Sequence, residues 1–236
     1  MIPMSNIIDV DHDFWKNYRT DGKDPDSCDL LLREYHRLLW SKPLPNGKLL
    51  LLDKYLHHNS ELGNFSFSSD SFVHTYLSWK SYRKVTDQIP KDEAEHFYKV
   101  ASTIGAITIF PSNKVDGKRT INGEKGCNKK ISDRIDLTME CIRRYYVGES
   151  SPLSETFGRY ASFFSLFEDF KGYVDFFLMQ DMADGDYNVK FLCSFSGFDQ
   201  PPLPDSVEEY MRYKENAIAF VKNRNTRIKK WAADNL

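Results

Sequence analysis

Hydrophobic positions along the chain recur at helical spacing in several stretches. Between Leu30 and Trp40, the residues Leu31, Tyr35, Leu38 and Leu39 fall on one side of a 3.6-residue period, and Pro43, Pro45, Asn46 and Gly47 then close the segment with a turn. Phe72–Val85 and Glu93–Val100 read as two further helices parted at Pro90. Ile131, Ile135, Met139, Ile142 and Tyr146 repeat every three or four residues opposite Asp133, Asp136, Glu140 and Arg144, which predicts an amphipathic helix over Ser132–Tyr146 ending near Gly148. The rings Phe157, Tyr160, Phe164, Phe167 and Phe170 keep a helical period up to Gly172. Tyr173–Met179 is then nearly continuously apolar and is read as helix or buried strand. After Pro201, Pro202 and Pro204 a last helix runs from Asp205 to about Ala233.

Strand signals are fewer. Phe65 and Phe67 alternate with small polar residues over Asn64–Ser68, as a half-buried strand does. Thr103–Phe110, with Ile104, Ile107 and Ile109 bounded by Pro111, carries the strongest signal; Lys48–Leu52 and Asn188–Phe195 are weaker candidates. No repeat or low-complexity linker divides the chain. The expectation is one α+β domain over residues 1–236, helix-rich, with a small mixed or antiparallel sheet. A polar loop of about twenty residues follows Pro111, a length that is uncommon in a compact domain and usually functional or disordered.

Composition adds an aromatic emphasis: 17 Phe, 13 Tyr and 4 Trp among 236 residues point to a core built on rings, with the stripe from Phe157 to Phe177 belonging to that core. The longest stretch without a charged residue, between Lys99 and Lys114, is too short for the roughly 20 residues a membrane span requires. Met1–Val10 lacks both the basic residue and the apolar run of a signal peptide, and Cys28, Cys127, Cys141 and Cys193 show no Cys-x-x-Cys pair. A cytoplasmic protein with reduced thiols and no membrane partner is expected from these features.

The net charge of −2 gives no global attraction to nucleic acid. It is, however, a cancellation. Residues 111–130 carry Lys114, Lys118, Arg119, Lys125, Lys129 and Lys130 against Asp116 and Glu124, a net +4, while acid gathers near the start from Asp9 to Asp29.

Several chemistries fail on spacing. His96 is the last histidine, which excludes the Ser, Asp, His order of the α/β-hydrolases, and no histidine follows Arg224 and Asn225 to complete an arginine–histidine ribonuclease pair. Around Gly117, Lys118 and Arg119 the phosphate-loop pattern lacks its first glycine, where Ser112 stands, and its Ser or Thr after the lysine. Asp9, Asp11 and Asp13 begin like a calcium loop, but Phe14 occupies the obligatory glycine position. His36, His57, His58 and His74 have no recognised ligand spacing, so no metal set is assigned and no cofactor is named.

What survives is the basic segment. Gly117, Gly123 and Gly126 let backbone amides approach an anion, Lys118, Arg119 and Lys125 supply counter-charge, Asn122 a hydrogen bond, and Arg134 sits in the first turn of the next helix. The expected ligand is phosphate-bearing, a nucleotide or nucleic acid, held by residues 114–130. Secondary candidates are Asp133 and Asp136, as base or metal ligand, and Arg159, Asp175, Arg224 and Asn225, which lie near apolar stripes and need partners if buried. Two alternatives stand beside it: a non-catalytic module whose basic loop meets an acidic protein surface, and a divalent-metal-dependent hydrolase.

Taken as motifs, Thr103–Gly105, Phe110–Asn113, Asp116–Gly117 and Thr120–Gly123 resemble a family of uncharacterised bacterial hypothetical proteins. So do Asp133, Arg134, Asp136–Thr138, Gly172–Leu178 and Leu39–Gly47, and the likeness therefore spans most of the chain. It implies a bacterial, cytoplasmic origin and assigns no reaction and no site.

Overall fold

The computed structural model describes residues 8–236. Near the start, α1 (Lys16–Asp21) and α2 (Pro25–Cys28) lead into α3 (Leu30–Trp40), where the Asp29 side chain caps the helix by accepting the Leu31 N–H at 3.0 Å. The sheet has three antiparallel strands in the order β1 (His57–Ser60), β2 (Gly63–Ser71) and β3 (Ile107–Pro111). Its register places Asp70 opposite Thr108 and Phe67 opposite Pro111. Between β2 and β3 lie α4 (Arg83–Thr86) and α5 (Lys91–Val100). After β3 come α6 (Ile121–Cys127), α7 (Ile135–Tyr146) and three short helices, α8 (Ser154–Arg159), α9 (Ala161–Phe164) and α10 (Phe170–Phe176). A helix of 29 residues, α11 (Val207–Asn235), closes the fold, and its Ser206 cap accepts the Glu209 N–H.

This is the α+β architecture expected, with an antiparallel sheet and one contiguous core. Rings dominate that core. Phe157, Phe163, Phe164, Phe167, Tyr173 and Phe177 meet edge-on or tilted with centroids 4.8–5.3 Å apart, the geometry that ring quadrupoles favour. The aromatic stripe is therefore core, folded as a chain of short helical turns, the last of which, α10, is set apart by Glu168 at a positive φ of 66°. No helix among the described residues is long and apolar enough to cross a membrane.

Several expectations are corrected. The segment 72–79 is irregular rather than helical: the Phe72 N–H pairs with the Ala106 carbonyl, the hydroxyls of Tyr213 and Tyr210 donate to the carbonyls of His74 and Thr75, and a turn closes between Tyr76 and Trp79. Those tertiary bonds occupy groups a helix would pair within itself. Residues 188–195 form no strand beyond a bridge between Ala183 and Val189, since Asp136 takes the Leu192 N–H and Asn216 donates to the Leu192 carbonyl. Likewise 48–52 keeps only the Pro43–Leu49 bridge, with the Ser41 hydroxyl accepting the Leu52 N–H. The strand expected from Thr103 starts at Ile107, because Ile104–Ala106 form a 3-10 turn pressed onto α11, where a Cβ on Gly105 would stand 2.5 Å from Asn225 Oδ1. The long loop after Pro111 is interrupted by α6, which buries Ile121 and Lys125 four residues apart on one face under a Thr120 cap.

Candidate functional site

The basic segment does not converge on one cleft. Lys118 donates to Glu155 at 2.6 Å, and Arg159 bonds the same carboxylate and the Arg119 carbonyl, so these three cations share a surface patch around one acid. Arg119 itself is 63% exposed in its side chain and lies 3.9 Å from Glu124. Lys130 is paired with Asp199. Much of the local +4 is thus answered by acids distant in sequence. Asn122 donates to the Ser69 carbonyl at 3.4 Å, close to the sheet rather than to the patch.

Lys125 has a different environment. Fully buried on α6, its Nζ contacts Asp133 and lies 3.1 Å from Asp70 Oδ2 on β2. Asp133 in turn meets His74, whose Nε2 is 2.9 Å from Asp133 Oδ2. The result is a linear array, Asp70–Lys125–Asp133–His74, with Lys125 its innermost member and Asp70 10% exposed at the sheet end. Side-chain exposure rises along it from 0% at Lys125 to 17% at Asp133 and 29% at His74.

The charge states follow from the array. Burial alone would raise the Asp133 carboxyl, but His74 and Lys125 outweigh it and hold the group well below the usual carboxylate range. Burial pushes Asp70 up, with Lys125 offsetting only part of the cost, since two carboxylates share one ammonium. Against its own burial penalty, Lys125 is raised by Asp70 and Asp133 and stays protonated. Asp133 is consequently an ionised acceptor fixed from behind, with its second oxygen on an imidazole.

His74 lines a cleft of about 350 Å³. Trp15 and Tyr18 of the N-terminal region, Tyr76 and Trp79 of the 72–79 segment, and Tyr98 of α5 supply its rings; Ser71, Thr75, Ser78 and Ser102 supply hydroxyls. Rings offered to solvent beside a few polar groups are the usual make-up of a ligand site. The backbone here is strained. Tyr76, Ser132 and Asp133 all have φ between 46° and 61°, a region bulky residues avoid, and the Tyr76 hydroxyl ties the two strained segments together by donating to the Ser132 carbonyl at 3.1 Å. Tyr213, by donating to the His74 carbonyl at 2.8 Å, fixes the histidine from below. Burial pushes the phenols of Tyr76 and Tyr213 up, so both remain protonated donors.

The remaining candidates do structural work. Arg134, just before α7, forks onto Asp136, which also accepts the Leu192 N–H at 2.8 Å; the buried pair holds the 190s segment against α7. Arg224 donates to the carbonyls of Gly105 and Ile107 at 3.0 and 2.9 Å and of Phe177 at 3.0 Å, while Asn225 accepts the Gly105 N–H at 2.7 Å. Together they lock the 3-10 turn onto α11. Asp175 pairs with Lys171 and Gln180 at a separate cavity. Of the sequence candidates, then, Lys125 and Asp133 meet, Arg134 and Asp136 meet beside them in sequence, and the others are elsewhere. Asp70 and His74 carry no site signal in the sequence: Asp70 lies in a serine run, and His74 offers only a possible metal ligand without ligand spacing. Among the described residues no group of three or more His, Cys, Asp or Glu side chains is arranged to hold a metal ion.

Neither a curated protein nor a solved structure shows significant similarity to the chain. A family model does, over residues 8–228, which takes in the sheet, the Asp70–His74 array and the whole aromatic cleft. The chain belongs to that family, DUF6994, described as a family of unknown function.

Proposed function

We propose that the chain binds a small ring-bearing molecule in the aromatic cleft and moves a proton to or from it through His74. The carrying observation is the His74–Asp133 contact at the floor of the cleft, backed by a buried lysine. The ionised Asp133 carboxylate lies 2.9 Å from His74 Nε2, which leaves Nδ1 for the ligand, an arrangement general acid–base catalysis uses. Asp133 orients, Lys125 and Asp70 hold Asp133, and the half-buried Trp15 and Trp79 provide stacking faces. Stacking on such faces is sequence-tolerant and worth about 1–3 kcal/mol per nucleobase, so a nucleoside or nucleotide remains the favoured ligand class, its ring seated in the cleft rather than its phosphate on residues 114–130.

A second reading is supported by the exposed cations Lys114, Arg119 and Lys129, which suit a free phosphate group or an acidic protein surface. Four unpaired cysteines fit a reducing, cytoplasmic setting for either reading.

Titration of the full chain with adenosine, AMP and uridine, followed by tryptophan fluorescence, tests the first reading. Saturable quenching is expected, weakened about tenfold in Trp79→Leu, as loss of roughly 1.4 kcal/mol of stacking requires. Absence of saturation with every member of the panel, or equal binding by Trp79→Leu, overturns it.

A further inference from the structure

Lys42 follows the end of α3, and its backbone is fixed by the Leu50 N–H on its carbonyl at 3.2 Å. From there the side chain turns inward; the residue is 8% exposed. Its Nζ stands 5.1 Å from the Trp40 ring centroid and 4.8 Å from those of Phe176 and Trp231. Among the described residues no carboxylate lies within salt-bridge distance of that nitrogen, and Arg224 occupies another approach to Trp40, 5.8 Å from its centroid.

The amine borders a cavity of about 540 Å³ at the junction of the 42–45 turn, α10 and the end of α11. Close approach of α10 to that turn depends on Gly172, where a Cβ would stand 3.0 Å from Pro45 and collide with the Phe167 carbonyl. Three rings offer an ammonium some cation–π attraction, but burial without a carboxylate opposes the charge, and Arg224 adds like-charge repulsion. Burial first and Arg224 second bring Lys42 down to about 7, with Asp175 offsetting part of the fall. Roughly half of such amines are unprotonated at neutral pH, against about one in a thousand or fewer for an ordinary lysine. The cavity's carboxylates, Glu168, Asp169 and Asp175, outnumber its cations and disfavour anionic ligands.

We propose that Lys42 is a nucleophilic amine site for small uncharged aldehydes or ketones, which it takes up as an imine within this cavity. The nitrogen lone pair forms a bond to the carbonyl carbon, and the C=O π pair moves to oxygen. The nitrogen loses a proton, oxygen gains one, and the product is a carbinolamine. Protonation of that hydroxyl releases water as the nitrogen lone pair closes C=N. In net terms the free amine, the carbonyl compound and one proton give an iminium and water, with the positive charge returned to the aromatic cage and Asp175 on the same cavity.

The site is distinct from the His74 cleft, and its test is independent. The full chain is treated with acetaldehyde and cyanoborohydride at pH 7, and alkylation at each lysine is followed by peptide mass spectrometry. Lys42 is expected to react at least tenfold faster than the exposed Lys80 and Lys190, and its rate is expected to fall as pH drops below 7. Alkylation of Lys42 no faster than Lys80 and Lys190, in protein whose melting curve is native before treatment, overturns the proposal.

Discussion

Lys125 and Lys42 are both withdrawn from solvent, yet the groups around them set opposite chemistry. Lys125 meets two carboxylates, Asp70 and Asp133, and is held protonated as the bolt of an ion array. Lys42 meets three rings and no carboxylate, and is released toward the neutral amine. Burial alone predicts neither state; the difference lies in whether the desolvation cost of the charge is answered by an opposite charge. Arg224, a third buried cation, is answered by carbonyl dipoles and serves as a clamp on Gly105 and Ile107.

The contrast makes graded predictions. Lys125→Met leaves Asp70 and Asp133 facing each other without a counter-charge, and urea unfolding should show a loss of about 3–5 kcal/mol. A loss under about 1 kcal/mol would mean the array does not organise this region. Lys42→Met removes a disfavoured charge, so the variant should be more stable than the native chain at pH 7 and below, by about 1–4 kcal/mol. Because the folded value of Lys42 lies below its unfolded one, the native chain binds fewer protons than its unfolded form between about pH 7 and pH 10.5. Native stability therefore rises with pH across that window, and the advantage of Lys42→Met should shrink there.

Asp133 gives the same direction with pH for the opposite reason, since its charged form is the favoured one. Its folded carboxyl is depressed, so its contribution is complete above the ordinary carboxylate value, near pH 4, and is lost as pH falls further. In Asp133→Asn that acid-limb loss should be smaller, which paired acid titrations of the two proteins measure. His74→Gln, at the exposed end of the array, should change stability by under about 1 kcal/mol in urea unfolding. The smallest effect is expected from Lys118→Ala with Arg119→Ala: these exposed pairs are worth about 0–1 kcal/mol, and cleft binding should be untouched.

The fold was legible where one period ran uninterrupted. Leu30–Trp40 is helical over the expected bounds, the last helix lies within two residues of its predicted ends, and Phe65 and Phe67 mark β2. Segment 72–79 was not, because Tyr210 and Tyr213, some 135 residues away, supply the hydrogen bonds that hold it out of a helix. The candidate site was legible in part. Lys125 and Asp133 stand out in a glycine-rich basic stretch, but a cation excess in sequence cannot reveal that Glu155 and Asp199 neutralise two of its members or that Asp70 draws a third inside. His74 and Asp133 are 59 positions apart, and only the approach of the segment after β2 to the turn after α6 brings them together.

AMP carries both a ring for the cleft and a phosphate for the basic segment, so amide and indole chemical-shift mapping of the 15N-labelled chain on adding AMP decides between the two regions. The indole N–H signals of Trp15 and Trp79 and the amides of residues 73–79 should move saturably, with residues 114–130 still. Movement confined to residues 114–130, or none at the two indoles, would contradict the assignment of the cleft as the functional site.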